Sequence, residues 1–234
     1  MEPVLFYGVP QGCSFGSIVA LEWLGRPYRL CRVEMLEAWP AGYERLNPKM
    51  QTPVLLTGDG RMLTESLAIL QHLAAQDLGP QGLGRAQGTP EHDRLNERLA
   101  FLSTDFFGAF GPLWTAYDRD DLDDGAKGLL RELGTQDVHR VFRVLDGLLA
   151  GRAWLVDDRR SVADAYLSGV ARWADYLRVF DTRAEYPNVA AHLRKLRADP
   201  AVAFADAVER QAPATSTGAF RGHVSAEEAM SAWR

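Results

Sequence analysis

A break between residues 78 and 88 constrains this chain more than any other feature. Gly79, Gly82, Gly84 and Gly88, with Pro80 among them, interrupt every periodic pattern there, and the sequence changes character across the break. Before it, apolar runs of strand length alternate with stretches of helical spacing. After it, helical spacing alone remains. The chain is therefore read as a small α/β unit over residues 1–77, a linker over 78–88, an all-helical unit over 89–211 and a tail over 212–234.

The order of elements inside the first unit is definite. An apolar run at residues 4–7 leads through a loop holding Gly8, Pro10 and Gly12 to a helix over 15–24, which Gly25 and Pro27 end. Residues 28–34 alternate as a second strand, and so short a crossover implies a right-handed parallel pair. An irregular or weakly helical stretch at 39–46 follows. Thr57-Gly58-Asp59-Gly60 then joins strands 52–56 and 61–63 as a hairpin, and residues 64–74 return to helical spacing. The sum is β-α-β-α-β-β-α.

Beyond the linker, Thr89-Pro90 opens a helix carrying Leu95, Leu99, Leu102 and Phe106 on one face, with a kink expected at Pro112. A further helix runs over 125–150. Ser161-Val162-Ala163-Asp164 resembles a capping box with Asp in place of Glu, opening a helix central to the second core. Pro187 and Pro200 mark two shorter helices. Residues 211–222, rich in Ala, Thr, Ser and Gly, read as a surface loop, and the last ten residues as one or two more helical turns.

Composition removes several functions. With 47% hydrophobic and 24% charged residues the chain reads as an ordinary soluble globular protein. Its 26 basic against 31 acidic residues, net charge −5, disfavour a nucleic-acid surface. No export signal opens the sequence, no stretch approaches a membrane span, and the two cysteines, Cys13 and Cys31, are too few for a disulfide framework. A cytoplasmic protein with no membrane or nucleic-acid partner is expected. The five histidines show no metal-ligand spacing and no glycine-rich phosphate loop follows the first strand, so no metal and no nucleotide are expected.

Several residues remain as candidates for chemistry. Cys13 and Ser14 stand immediately before the first helix, where unpaired N–H groups and the helix dipole favour an anion and lower a thiol's pKa; equally, Ser14 is an ordinary N-cap and Cys13 a small buried side chain. Tyr7, at the end of the first strand, has a hydroxyl suited to donate to a sulfur in the same loop, or an aromatic ring suited to core packing. Thr52-Pro53 stands at a strand start; a cis bond there exposes the Thr52 backbone to an extended ligand, although X-Pro bonds are mostly trans. Glu65 and Ser66 open a helix and suit a zwitterionic amino-acid group, the hydroxyl and N–H groups taking its carboxylate and Glu65 its amine; they also suit a plain acidic first turn. Phe107, Phe110, Trp114 and Tyr117 recur at helical spacing, as a core stripe or as the wall of an apolar pocket.

Taken jointly, these segments resemble the glutathione transferase superfamily over nearly all of residues 3–210. The likeness rests on Leu5-Phe6-Tyr7 through Gly12-Cys13-Ser14, on Asn47 to Leu55 leading to Leu63-Thr64-Glu65-Ser66, and on Ser161-Val162-Ala163-Asp164-Ala165-Tyr166-Leu167. The Gly-Cys-Ser loop and the Ala-Asp-Ala-Tyr-Leu helix are most similar to the bacterial beta class. The resemblance implies a thioredoxin-like domain followed by a helical bundle, a homodimer, and glutathione as co-substrate for attack on a hydrophobic electrophile. It assigns the glutathione sulfur to Cys13, with Ser14 in support and Tyr7 as a further donor, and the cysteinyl backbone to Thr52 before a cis Pro53. The γ-glutamyl end falls to Glu65 and Ser66, an amine contact across a dimer interface to Asp105, and an apolar electrophile pocket to Phe107, Phe110, Trp114 and Tyr117. Where the beta class usually carries a His-Lys pair, this chain has Phe107-Gly108, which makes the pocket more apolar. The tail beyond residue 211 has no counterpart in that pattern, and its Phe220 and Trp233 suggest a lid over the pocket or an arm on a partner. A glutathione-dependent disulfide reductase working through a Cys13 mixed disulfide, and a non-catalytic carrier of hydrophobic ligands, are the alternatives to a transferase.

Overall fold

Side-chain alternation along the first strand sorts residues into two cores. In β1 (Val4–Val9), Leu5, Tyr7 and Val9 enter the larger core and Val4 and Phe6 the smaller one on the opposite face of the sheet. The computed structural model describes residues 2–232; Trp233 lies outside that range. Helix α1 (Phe15–Leu24) returns the chain to β2 (Tyr28–Glu34), which runs parallel to β1. A single 3₁₀ turn at Tyr43–Arg45 stands where weak helical spacing was expected. The antiparallel hairpin β3 (Val54–Leu56) and β4 (Met62–Thr64) pairs back onto β1, and α2 (Ser66–Ala74) closes the unit.

The segment between the two units is tightly held. Arg85, whose side chain is 1% exposed, pairs with Asp157 and donates to the carbonyls of Gly82, Gly84 and Val156. Gly84 lies so close to the end of α2 that a Cβ there would stand 2.2 Å from the Ala74 carbonyl oxygen. These glycines serve close packing, and the connection is a fixed strut.

The helical unit comprises α3 (Pro90–Phe101), α4 (Phe107–Ala109), α5 (Gly111–Asp118), α6 (Asp124–Leu149), α7 (Val162–Val170), α8 (Trp173–Tyr176), α9 (Thr182–Glu185), α10 (Pro187–Arg197) and α11 (Pro200–Glu209). A π turn at Leu102–Phe106 separates α3 from α4, a break the sequence pattern did not announce. The capping box at α7 forms: Ser161 accepts from the Ala163 N–H, and the Asp164 carboxylate accepts from the N–H groups of Ser161 and Leu155. All of α7 is buried, and it crosses α1 at Gly16, where any Cβ would lie 2.6 Å from the Ala165 carbonyl oxygen. That crossing joins the two units.

The tail differs most from the sequence reading. Part of the expected surface loop is a strand, β5 (Phe220–His223), which pairs in parallel with β2 and extends the sheet to five strands in the order β4-β3-β1-β2-β5. Helix α12 (Ala226–Ala232) then packs Ala229 and Met230 on the smaller core. Phe220 rests on Tyr28 and Phe204, so it neither covers the interdomain cleft nor projects outward. The anchor is Glu22 of α1, a buried carboxylate that accepts from the Tyr28 hydroxyl (2.5 Å), the Ser216 hydroxyl (2.7 Å) and the N–H groups of Thr217 and Gly218 (both 2.9 Å). Nothing local marks Glu22 for this task, because its partners in the tail lie some 195 residues away.

Removing that carboxylate leaves several buried donors without an acceptor. Glu22→Ala is expected to lower unfolding stability by about 3 kcal/mol and to expose residues 211–219 to protease; urea denaturation and limited proteolysis of the variant check both.

Candidate active site

A cleft of about 320 Å³ lies between the two units. Its α/β side presents Cys13, Thr52, Pro53, Glu65 and Ser66, and its helical side Ser103, Phe107 and Tyr166. The Thr52–Pro53 bond is cis, and the Thr52 carbonyl accepts the Cys13 thiol proton at 3.4 Å. The Ser66 hydroxyl donates in turn to the Cys13 carbonyl at 3.5 Å. Glu65, with φ of +68°, precedes α2 and pairs with Lys49. Ser66 is the first residue of α2, so the unpaired N–H groups of that helix start face the same cleft.

The loop carrying Cys13 is clamped from the helical unit. Arg172 donates through Nη2 to the Gly12 carbonyl (3.1 Å), pairs with the Glu209 carboxylate, and lies over the Phe15 ring with its guanidinium carbon 4.2 Å from the centroid. The Trp173 indole donates to the Gln11 carbonyl at 2.9 Å. Burial pushes the Cys13 thiol above its ordinary pKa, against smaller downward pulls from the Ser66 hydroxyl and Arg172. This reverses the depressed pKa expected from a helix start: desolvation outweighs the favourable field, and a thiol that donates to a carbonyl is held in its neutral form. Cys31, buried in the smaller core, is pushed up to about 12 and is chemically remote from the cleft.

The other two candidates at the sulfur point elsewhere. Ser14 is fully buried, makes no side-chain cap on α1, and accepts the Gly8 N–H at 3.1 Å to brace the β1–α1 loop. Tyr7 is also fully buried; its hydroxyl is hydrogen-bonded to Nε2 of His223 on β5 at 3.1 Å. Burial raises its pKa although the Arg32 guanidinium beside it pulls the other way. Of the three, Cys13 alone lines the cleft.

The aromatic residues divide similarly. Phe107 lines the cleft, whereas Phe110 is fully buried between Phe106, Phe142 and Trp173. Trp114 sets its edge on Trp173 and stacks on Tyr176, and the exposed Tyr117 shares a hydrogen bond of 2.8 Å with the Tyr176 hydroxyl. The stripe is real, but it wraps the second core, and only its first member reaches the cleft. Asp105 sits exposed on the π turn, accepts from the Thr104 hydroxyl, and lies outside the cleft of its own chain. Met35, Trp39, Asn47, Met50 and Gln51 also line the cleft without having been singled out. Asn47 holds this wall by donating to the Gln51 carbonyl at 2.7 Å. Tyr166 enters from the buried α7, a position whose motif was noticed but whose direction was not.

The comparisons agree with this architecture. Residues 13–76 match the glutathione S-transferase N-terminal domain family and residues 125–200 the C-terminal domain family. The chain is 34% identical to glutathione S-transferase GST-4.5 of Xanthomonas campestris pv. campestris over 176 residues, 72% of this chain and 81% of the relative. It is 29% identical to glutathione S-transferase GstA of Escherichia coli O157:H7 over 85% of this chain and 94% of that one. Among solved structures, a sphingomonad glutathione S-transferase complexed with glutathione superposes with a TM-score of 0.77 at 32% identity, covering 89% of this chain and 100% of the other. The beta-class enzyme of Sphingomonas chungbukensis gives 0.76 at 30%, covering 88% and 98%. The chain belongs to the glutathione S-transferase family, a class of enzymes, and its resemblance is to the bacterial beta class. Among the described residues no helix is long and apolar enough to cross a membrane.

Two outcomes follow from the electrostatics. A raised pKa keeps Cys13 protonated at neutral pH, so its alkylation by iodoacetamide is expected to be slow at pH 7 and still rising above about pH 9.5, where an ordinary thiol has levelled off; peptide mapping after timed labelling reads this. Arg172→Gln removes a downward pull and leaves Glu209 buried without its partner. That alkylation profile is expected to move to higher pH and unfolding stability to fall by about 3 to 5 kcal/mol, the latter read by urea denaturation.

Proposed function

We propose that this enzyme binds glutathione in the Cys13 cleft and joins its sulfur to a hydrophobic electrophile presented from the helical side. The observation that carries this reading is the convergence, in one cleft, of a thiol, the Thr52 backbone carbonyl, a helix start with the Ser66 hydroxyl, and the Glu65 carboxylate. Those groups match, in kind, a γ-glutamyl tripeptide: a sulfur, a peptide backbone, a carboxylate and an ammonium. The sphingomonad relative, whose structure is a complex with glutathione, supports the same ligand.

In this reading the Thr52 backbone aligns the cysteinyl residue, Ser66 and the first N–H groups of α2 take the γ-glutamyl carboxylate, and Glu65 takes the ammonium in exchange for Lys49. The glutathione sulfur then lies beside the Cys13 thiol. A neutral S–H is a donor, so Cys13 turns its one proton from the Thr52 carbonyl to the glutathione thiolate and stabilises it by hydrogen bonding while remaining protonated itself. The thiolate attacks the electrophilic carbon, the carbon–sulfur bond forms as the leaving group departs with its electron pair, and the thiol proton passes to solvent. Phe107 and Tyr166 bound the apolar side from which the electrophile approaches. Asp105, exposed and outside its own cleft, is the acid that a homodimer would present to a partner's glutathione.

One observation favours a second reading. Cys13 is the cysteine that lines the cleft while Cys31 is buried away from it, so a mixed disulfide on Cys13, resolved by a second glutathione, is the thiol-exchange route available here. The variants separate the two. Cys13→Ser, which keeps a donor, is expected to retain most conjugation of glutathione to an activated aryl chloride. Cys13→Ala should lose about tenfold and show a higher apparent pKa in its pH–rate profile, while Glu65→Ala should weaken glutathione binding about tenfold with little change in kcat. Activity in wild type that disappears altogether in Cys13→Ser, together with a glutathione adduct on Cys13 by mass spectrometry, would establish thiol exchange instead. No glutathione binding by wild type in calorimetry would remove both.

A further inference from the structure

The sheet of the α/β unit is apolar on both faces, and each face needs a cover. Helices α1, α2 and the helical unit cover the face that carries Leu5 and Tyr7. On the opposite face, Val4, Phe6, Cys31, Val33, Val54 and Leu56 form the smaller core. Its cover has two parts: the segment 39–46, which folds only as far as one 3₁₀ turn, and the tail. Among the described residues, α12 is the one α-helix that gives side chains to this core, through Ala226, Ala229 and Met230. Leu46, Ala226 and Met230 also border one groove, so α12 and the 3₁₀ turn face each other across it.

Tyr43 connects this core to the cleft. Its ring is fully buried and set edge-on to Phe6 and Trp39, with centroids 5.9 and 4.8 Å away, and its carbonyl accepts the Leu46 N–H at 2.9 Å. Its hydroxyl donates to the Gln51 carbonyl at 3.0 Å, and the same oxygen accepts from Asn47 Nδ2 at 2.7 Å. A carbonyl oxygen has two lone pairs, and here both are taken. A peptide unit is planar, so an oxygen held by two donors fixes the direction of the N–H on the other side of the same unit, which is that of Thr52. Thr52 carries the cis bond to Pro53 and lines the cleft. The packing of α12 is thereby linked, through Leu46 and Tyr43, to the backbone on which the cysteinyl residue of glutathione aligns.

We propose that the tail is a working part of the glutathione site, in which Met230 of α12 and Tyr43 are positioning residues that aim the Thr52 N–H at the tripeptide. The proposal rests on the reading of the Cys13 cleft as the glutathione site. Neither residue lines the cleft, so both act through the Gln51–Thr52 peptide.

The test measures the Kd of glutathione by calorimetry, and KM and kcat for its conjugation, in full-length wild type, Tyr43→Phe, Met230→Ala and the double variant. Tyr43→Phe keeps the ring and removes one of the two donors; Kd and KM for glutathione are expected to rise about fivefold, with kcat at saturating glutathione unchanged. Met230→Ala should raise both about threefold, and Met230→Leu, which restores the volume, should return them to the wild-type values. Because Met230 acts through Tyr43, the double variant should match Tyr43→Phe at about fivefold, where independent effects would multiply to about fifteenfold. A fall in kcat with Kd and KM unchanged would mean only a loss of folded enzyme, unchanged constants in both single variants would separate the tail from the site, and a fifteenfold double variant would mean that Met230 bypasses Tyr43; each overturns the proposal. Wild type that binds no glutathione would remove the reading of the cleft and this proposal with it, whereas binding by wild type with the same affinity in every variant would remove this proposal alone.

Discussion

The close crossing of α1 and α7 is the contact on which the rest of this molecule depends. Gly16 lets the α1 backbone meet the Ala165 and Tyr166 backbone, and a side chain there would force the helices apart. The crossing brings the chain that follows α7, with Arg172 and Trp173, onto the Gln11–Gly12 loop and points Tyr166 into the cleft. The same α1 carries Glu22, so it fixes the tail as well as the thiol loop. The candidate active site and the tail are therefore both referred to one helix.

The chemistry of the cleft is decided by competition between burial and polar contact. A helix start favours an anion, but Cys13 is desolvated and donates to the Thr52 carbonyl, and desolvation wins. A neutral thiol suits a hydrogen-bond donor to a bound thiolate better than it suits a nucleophile. Arg172 tempers the effect and is itself bound to Glu209, a carboxylate whose own pKa burial has raised. Arg172 and Glu209 thus form a closed pair that positions the loop.

Much of the fold was legible locally. The strand-helix-strand start, the hairpin through Asp59-Gly60, the Ser161 capping box and the Cys13, Thr52-Pro53 and Glu65-Ser66 segments all follow from periodicity, caps, turns and motif resemblance, which act over a few residues. Most of the departures share one cause, in that they depend on a partner remote in sequence. Tyr7, expected at the end of the first strand, stands two residues inside β1, and its hydroxyl finds His223. Phe110, Trp114 and Tyr117 have the spacing of a wall, but Trp173 draws Phe110 and Trp114 against the second core and Tyr117 stays exposed beside Tyr176. The π turn at Leu102–Phe106 shifts the helix locally and leaves Ser103 and Phe107 as its contribution to the cleft.

By itself, then, the sequence determined the two-part α/β and all-helical architecture and the segments from which the site is made, because caps, turns and side-chain period are properties of neighbouring residues. Tertiary structure alone decided which of Cys13, Ser14 and Tyr7 reaches the cleft, the protonation state of Cys13, and the conversion of an apparent loop into the fifth strand. Those outcomes rest on burial and on hydrogen bonds between residues as far apart as Glu22 and Gly218, and no local pattern records what a folded chain brings together.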